Sequence, residues 1–306
     1  MDRRTFFKKS IGASVVAGTA LSARYQDLFA FSNSASDLPF DLVAVKGGEP
    51  GVMLQKGLEA LGGIQAFVKK GQKVVVKPNI GWDVGPERGG NTNPKLVAEI
   101  IRQCRNAGAG EVYVFDHTCD NWQRCYKNSG IESAVKDAGG KIAPAHSEGY
   151  YHEISLPHGI SLTTAKEHEL ILNADVFINV PVLKNHGGAR ITIAMKNLMG
   201  NVWDRGFWHR TDLHQCIADF ATFRKPTLNI VDAYAVMKQN GPRGVSVEDV
   251  VAMKSLLIST DIVTIDMAAT KLFGLNPVDI RYIQLAAEQK VGRMDLENLR
   301  IKRINV

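Results

Sequence analysis

From residue 41 onward the chain alternates short, almost unbroken apolar runs with longer stretches in which apolar residues recur every three or four positions. The runs predict β-strands at 41–46 (DLVAVK), 73–77 (KVVVK), 111–116 (EVYVFD), 175–183 (DVFINVPVL), 227–232 (TLNIVD) and 255–259 (SLLIS). The spaced stretches predict helices at 53–61, 94–106, 131–138, 212–223, 262–273 and 277–289. Such alternation implies an α/β fold built on a mostly parallel sheet, and strands that are apolar throughout imply helices on both faces. Around residues 143–165 the pattern lapses into a stretch rich in His, Gly and Ser, with one alternating run, HEISLP. A small hairpin or irregular excursion is expected there.

The amino terminus follows a different pattern. Paired Arg3 and Arg4, then Thr5, Phe6, Phe7 and Lys8, precede an apolar run from Ile11 to Ala23. This is the arrangement of a twin-arginine export signal, which passes folded proteins through the twin-arginine translocation machinery. Residues 1–35 are therefore read as signal and tether, 36–306 as one α/β domain or two close lobes, and the periplasm as the destination. The apolar run falls short of the roughly 20 residues of a spanning helix. No clean small-x-small site follows Ala23, so membrane contact is expected only where the signal stays uncleaved.

With 306 residues, 45% of them hydrophobic, the chain can bury a large core. The net charge of +6 is concentrated in the amino terminus: residues 1–35 hold five basic and two acidic residues, which leaves +3 for the rest. That balance gives no support to a nucleic-acid partner. Of the four cysteines, Cys119 and Cys125 are close enough to pair across DNWQR in an oxidising compartment, while Cys104 and Cys216 sit in helix-like surroundings. Without a CxxC or a run of four close cysteines, an iron–sulfur cluster held by this chain alone is not expected.

Several predicted strands finish on polar residues that a buried strand does not require. KVVVKPN ends in Lys77 and Asn79, EVYVFDH in Asp116 and His117, DVFINVPVLKNH in Lys184, Asn185 and His186, and TLNIVD in Asp232. Ligands of open α/β sheets bind outside the carboxyl ends of the strands, so these groups are expected to converge there. Each also has a plainer use, as a snorkelling lysine or a helix cap. In the run LKNHGGARITIAMKNLMGNVWD, Gly187 and Gly188 permit close backbone approach, and the helical turn behind them would offer N–H groups to an anion. Lys77, Lys184 and His186 are thus the expected catalytic residues. Asn79, Gly187, Gly188, Arg190, Lys196, Asn197 and, from the loop KQNGPRGV, Arg243 are the expected ligand-binding set.

In this reading His186 exchanges a proton near neutral pH while the lysines stabilise negative charge. His209 and His214 follow, with Thr211 or Asp212 as a helix cap. His186, His214 and Asp232 form a candidate nitrogen and oxygen set for a divalent metal such as zinc, iron, manganese or nickel, though the spacing matches no standard zinc template. Asp261 is expected to cap a helix. Asp266, set among Ile265, Met267 and Ala268, needs a partner, for which a strand-end lysine is the expectation.

The order of these motifs, VVVKPN, NTNPKLVAEII, EVYVFDH, ADVFINVPVLKNHGGARITIAMKNLMG, LNIVDAYAVMKQNGPRGV and LLISTDIVTIDMAATKLFGL, resembles the family catalogued as domain of unknown function three hundred and sixty-two. The resemblance covers roughly residues 40–290. Members commonly read Lys-Thr-His where this chain has Lys184, Asn185 and His186. Some relatives carry a ferredoxin-like cluster domain, for which this chain lacks the cysteines. The family is also similar to the amino-terminal part of nickel-dependent lactate racemases, in which lysine and histidine residues serve a nickel-pincer cofactor. The resemblance implies a fold and a set of positions but no established reaction.

Three functions fit these observations. The first is an exported enzyme or cofactor-dependent protein that binds a small carboxylate or phosphate at the sheet edge. The second is a non-catalytic periplasmic binding protein for such an anion or a metal, and the third a redox partner with an acquired cofactor.

Overall fold

Neighbouring valines of a single strand point into different cores. Val75 packs with Phe177, Val231 and Leu257 on one face of a sheet, whereas Val74 and Val76 pack with Ile178, Ile230 and Ile258 on the other. That two-sided burial explains why these strands read as solid apolar runs. The structure, a computed structural model, describes residues 38–306, of which Pro39–Val306 form one compact unit. The expected export signal and tether lie outside the described residues.

The strands are β1 (Leu42–Lys46), β2 (Lys73–Pro78), β3 (Glu111–Val114), β4 (Lys141–Ile142), β5 (Tyr151–Ser155), β6 (Thr164–His168), β7 (Val176–Val180), β8 (Val182–His186), β9 (Arg190–Thr192), β10 (Leu228–Met237), β11 (Val250–Ser259) and β12 (Ile301–Asn305). The main sheet runs β12-β1-β11-β10-β7-β2-β3-β4, with β8 beside β10 and β9 beside β8. Its pairings are parallel except that β11 opposes β1 and β10, and β9 opposes β8. The mostly parallel α/β fold expected from the pattern is therefore present. β5 and β6 form a separate antiparallel hairpin, later than but overlapping the irregular segment.

Helices form where caps and periodicity agree. In Pro94–Asn106 the Asn93 side chain accepts from Lys95 N and Pro94 opens the first turn; Leu96, Val97, Ile100, Ile101 and Cys104 then face the sheet. In Ile262–Phe273 Asp261 accepts from Val263 N and Thr264 N, as expected of a cap, and Gly274 closes the helix in the left-handed region.

The run 175–183 is not one strand. Pro181 has no N–H to donate, so β7 ends at Val180 and β8 begins at Val182 on a new line beside β10. Lys184 and His186 consequently lie within β8 rather than beyond a strand end. β10 also continues past Asp232 to Met237, because β11 extends to pair with it, Met237 opposite Val250.

Candidate active site

A chain of carboxamides runs from the carboxyl edge of β2 and β7 to the start of β10. Asn179, the penultimate residue of β7, donates from Nδ2 to Asn229 Oδ1 at 3.0 Å and accepts at Oδ1 from Asn197 Nδ2 at 2.9 Å. Asn197 in turn accepts at Oδ1 from Asn79 Nδ2 at 2.9 Å and from Lys77 Nζ at 3.1 Å. With its NH2 group so engaged, Asn79 must present its oxygen outward, and Lys184 Nζ donates to it at 3.0 Å. Residues from two distant segments, Lys77 and Asn79 in one and Lys184 and Asn197 in the other, thus meet in one network.

The buried lysines differ in how their charge is balanced. Lys77 is fully buried and lies 2.8 Å from Asp116 Oδ1; burial lowers its pKa and the Asp116 charge opposes that shift. Lys184, 1% exposed, bonds only to neutral oxygens, those of Asn79 and the Gly90 carbonyl. Burial brings its pKa down to about 7. Half-buried Lys196 has no hydrogen-bonding or ionic partner among the described residues, and burial brings it down to about 8. Beside one neutralised ion pair, then, stand two lysines without a counter-charge.

His186 has a defined tautomer. Gly188 N and Ala189 N both donate to its Nδ1 at 3.1 Å, so that nitrogen is unprotonated and the proton sits on Nε2. Burial, with Lys196 and Lys184 adding positive charge, pushes its pKa down to about 2. At neutral pH His186 is therefore a neutral donor through Nε2–H and not the acid/base pair expected from its residue type. The His209 ring lies nearly parallel to it, with centroids 6.4 Å apart.

Several other expectations are corrected. Gly187 and Gly188 form the turn of the β8–β9 hairpin, and their N–H groups are taken by Gly241 O and His186 Nδ1. The following helix, Ala194–Asn197, has only four residues, and Asp266 occupies its start by accepting from Ala194 N at 2.7 Å and Met195 N at 3.1 Å. Neither feature offers free amides to a ligand, and the partner of Asp266 is backbone rather than lysine. Asp266→Ala is expected to lower stability by roughly 2–4 kcal/mol, because two buried N–H groups lose their acceptor. Denaturant unfolding checks this, and a loss within experimental error would contradict it.

Arg190 turns away, donating to Asp279 O at 3.0 Å. Asp232 is mid-strand and buried, where it accepts from Asn93 N at 2.7 Å and Tyr234 N at 3.0 Å and so anchors the helix Pro94–Asn106. His214 lies beside the hairpin turn with its ring stacked near Tyr282. Among the described residues no three His, Cys, Asp or Glu groups are placed to hold a metal, so His186, His214 and Asp232 do not assemble as a ligand set. Because the Nε2 of His186 carries its proton, the donor set also does not fit a nickel centre. Arg243 stands at the rim, exposed, its guanidinium 3.4 Å from Asp120.

Cys119 and Cys125 are free thiols, the first exposed and the second buried with Sγ directed to Gly81 O, so the pairing their spacing would allow is not formed. Residues that pattern reading missed complete the surroundings. Arg205 donates to the carbonyls of His117 and Thr118, holding the loop that carries Cys119. Gly200 packs its bare Cα against Asp116 and Lys77. Nothing in the local pattern around Gly200 signals the ion pair behind it.

Two concavities lie elsewhere. One, of about 720 Å³, is lined by Glu49, Lys95, Glu99 and Arg102; the other, of about 430 Å³, by Glu148, Lys166 and Trp203. Their cations are already paired, Lys95 with Glu49, Arg102 with Glu99 and Lys166 with Glu148. The uncompensated lysines mark the β2–β8 edge as the stronger site.

Comparison with known proteins places this geometry in context. The chain is 29% identical over 252 residues to a thylakoid-associated protein of Synechocystis sp., covering 77% of this chain and 73% of that protein. Among solved structures, the lactate racemase apoprotein from Thermoanaerobacterium thermosaccharolyticum aligns with a TM-score of 0.43 and 14% identity over 70% of this chain. The match covers 53% of that racemase, so this chain spans about half its length. Residues 74–271, which include Lys77, Asn79, Lys184, His186, Lys196 and Asn197, match the family described as Domain of unknown function (DUF362), and the chain belongs to that family.

Proposed function

We propose that this protein binds a small ligand bearing a carboxylate or phosphate between Lys184, Lys196 and the Nε2–H of His186, and acts on it as an enzyme or cofactor-dependent protein. The observation behind this reading is the pair of lysines, one fully buried, with no anion to balance them. A buried unpaired charge is costly, and an anionic ligand arriving between such groups relieves that cost.

The chemistry available follows from the protonation states. Lys184, near neutrality, exchanges a proton in the physiological range, and Lys196 keeps its charge long enough to stabilise an anionic intermediate. His186 orients the ligand as a fixed donor. Lys77 and Asp116 hold the floor of the site through Asn197. The twin-arginine signature supports export in the folded state to the periplasm, and likeness to a thylakoid-associated protein supports work near a membrane.

Calorimetric titration with sulfate, whose own charge is constant over the range, tests the reading. Affinity is expected to be level below about pH 6 and to fall progressively from about pH 7, by up to roughly tenfold per unit for each lysine that must be reprotonated. Absence of binding, or an affinity indifferent to pH, would overturn the assignment. Saturable binding of every anion tried, with no product from any, would select the binding protein over the enzyme.

A further inference from the structure

Cys119 lies beside the two unbalanced lysines. An alanine-type Cβ at Gly81 would stand 3.5 Å from Asn79 Oδ1 and 3.9 Å from Cys119 Sγ, so sulfur and carboxamide oxygen flank one small space. That same oxygen receives Lys184 Nζ at 3.0 Å. Cys119 is also close enough to Lys77, Lys184 and Lys196 to interact with all three. The other three cysteines are buried.

Its loop is held firmly. Cys119 N donates to Gly81 O at 2.8 Å, Asp120 N to the same oxygen at 3.2 Å, and Thr118 Oγ1 to Asp120 O at 2.8 Å. Arg205 secures the preceding carbonyls and Arg243 pairs with Asp120. Independently of the thiol, His186, which neighbours the same Lys184 and Lys196, is nine-tenths buried with an unpartnered Nε2–H, and Lys196 has no partner among the described residues. An accessible thiol among lysine ammoniums is the arrangement that makes cysteine a nucleophile.

We propose that Cys119 is the nucleophile of this site, and that its substrates are electrophilic carbon compounds bearing a carboxylate or phosphate; the assignment rests on the anion reading above. The thiol first gives its proton to solvent. The thiolate then attacks the electrophilic carbon while Lys184 and Lys196 hold the anionic group. The carbon–sulfur bond forms as the bond to the leaving group breaks, the leaving group departs with the electron pair, and Lys184 supplies the proton that neutralises it.

Alkylation of the full chain tests this with two reagents of equal size and different charge, read by peptide mass spectrometry at Cys119. Iodoacetate is expected to label Cys119 about tenfold faster than iodoacetamide, since a cationic cleft concentrates the anion. Sulfate should protect against iodoacetate, and Lys184→Met or Lys196→Met should abolish the preference. Equal or slower labelling by iodoacetate, with calorimetry still showing sulfate bound, would overturn the Cys119 assignment alone. Loss of sulfate binding in the wild type would remove the anion reading with it.

Discussion

Gly200→Ala is expected to lower the stability of the fold by roughly 3–5 kcal/mol, the sum of overpacking and damage to a buried ion pair. A Cβ at this position would fall 1.8 Å from Asp116 Oδ1 and 2.5 Å from Lys77 Nζ. Neither group has room to retreat: Asp116 also accepts from Ile80 N at 2.6 Å, and Lys77 donates to Asn197 O at 2.7 Å. The expected readout is a fall of about 10 °C in the thermal midpoint. Gly149→Ala serves as the control, because only Ser147 Oγ, at 3.9 Å, lies near its added carbon. Equal effects of the two substitutions would contradict the packing described for Lys77 and Asp116.

Lys184→Met separates the cost of the buried charge from its use. Sulfate affinity is expected to fall roughly tenfold to a hundredfold, the value of a charge-assisted hydrogen bond. Stability should respond to pH in the opposite sense from a surface lysine. The folded pKa of about 7 lies below the ordinary lysine value. Between that pKa and about 10.4 the unfolded chain holds the extra proton, so wild-type stability rises with pH and is lost again as pH falls toward 7. The variant lacks this slope. From about pH 7 to about pH 9 the wild type should gain roughly 2 kcal/mol relative to Lys184→Met. Parallel pH profiles for the two proteins would mean that Lys184 is not a desolvated, unbalanced cation.

Much of the architecture follows from local pattern. The helices Pro94–Asn106 and Ile262–Phe273 carry both an amino-terminal cap and an apolar stripe, and their limits coincide with the periodic segments. The lysines are legible as a set because an apolar strand gives no reason for Lys77 or Lys184. What pattern reading cannot supply is the direction in which a polar side chain finds its partner. Asp232 looks like a site carboxylate in sequence and Asp266 like the partner of a strand-end lysine, yet both hold backbone N–H groups, one at Asn93 and the other at Ala194. Arg190 shares a segment with Lys196 but faces Asp279. His186 looks like a proton carrier until two neighbouring N–H groups fix its tautomer and two lysines suppress its charge. The carboxamide relay through Asn229, Asn179, Asn197 and Asn79 joins four separate segments, and no spacing rule connects them.

The position of a bound anion tests the account most directly. In crystals grown without sulfate or phosphate and then soaked in selenate, anomalous scattering should place selenium between Lys184 Nζ, Lys196 Nζ and His186 Nε2. Selenate found only at exposed arginines, with that space vacant, would contradict the claim that these lysines exist to hold a negatively charged ligand.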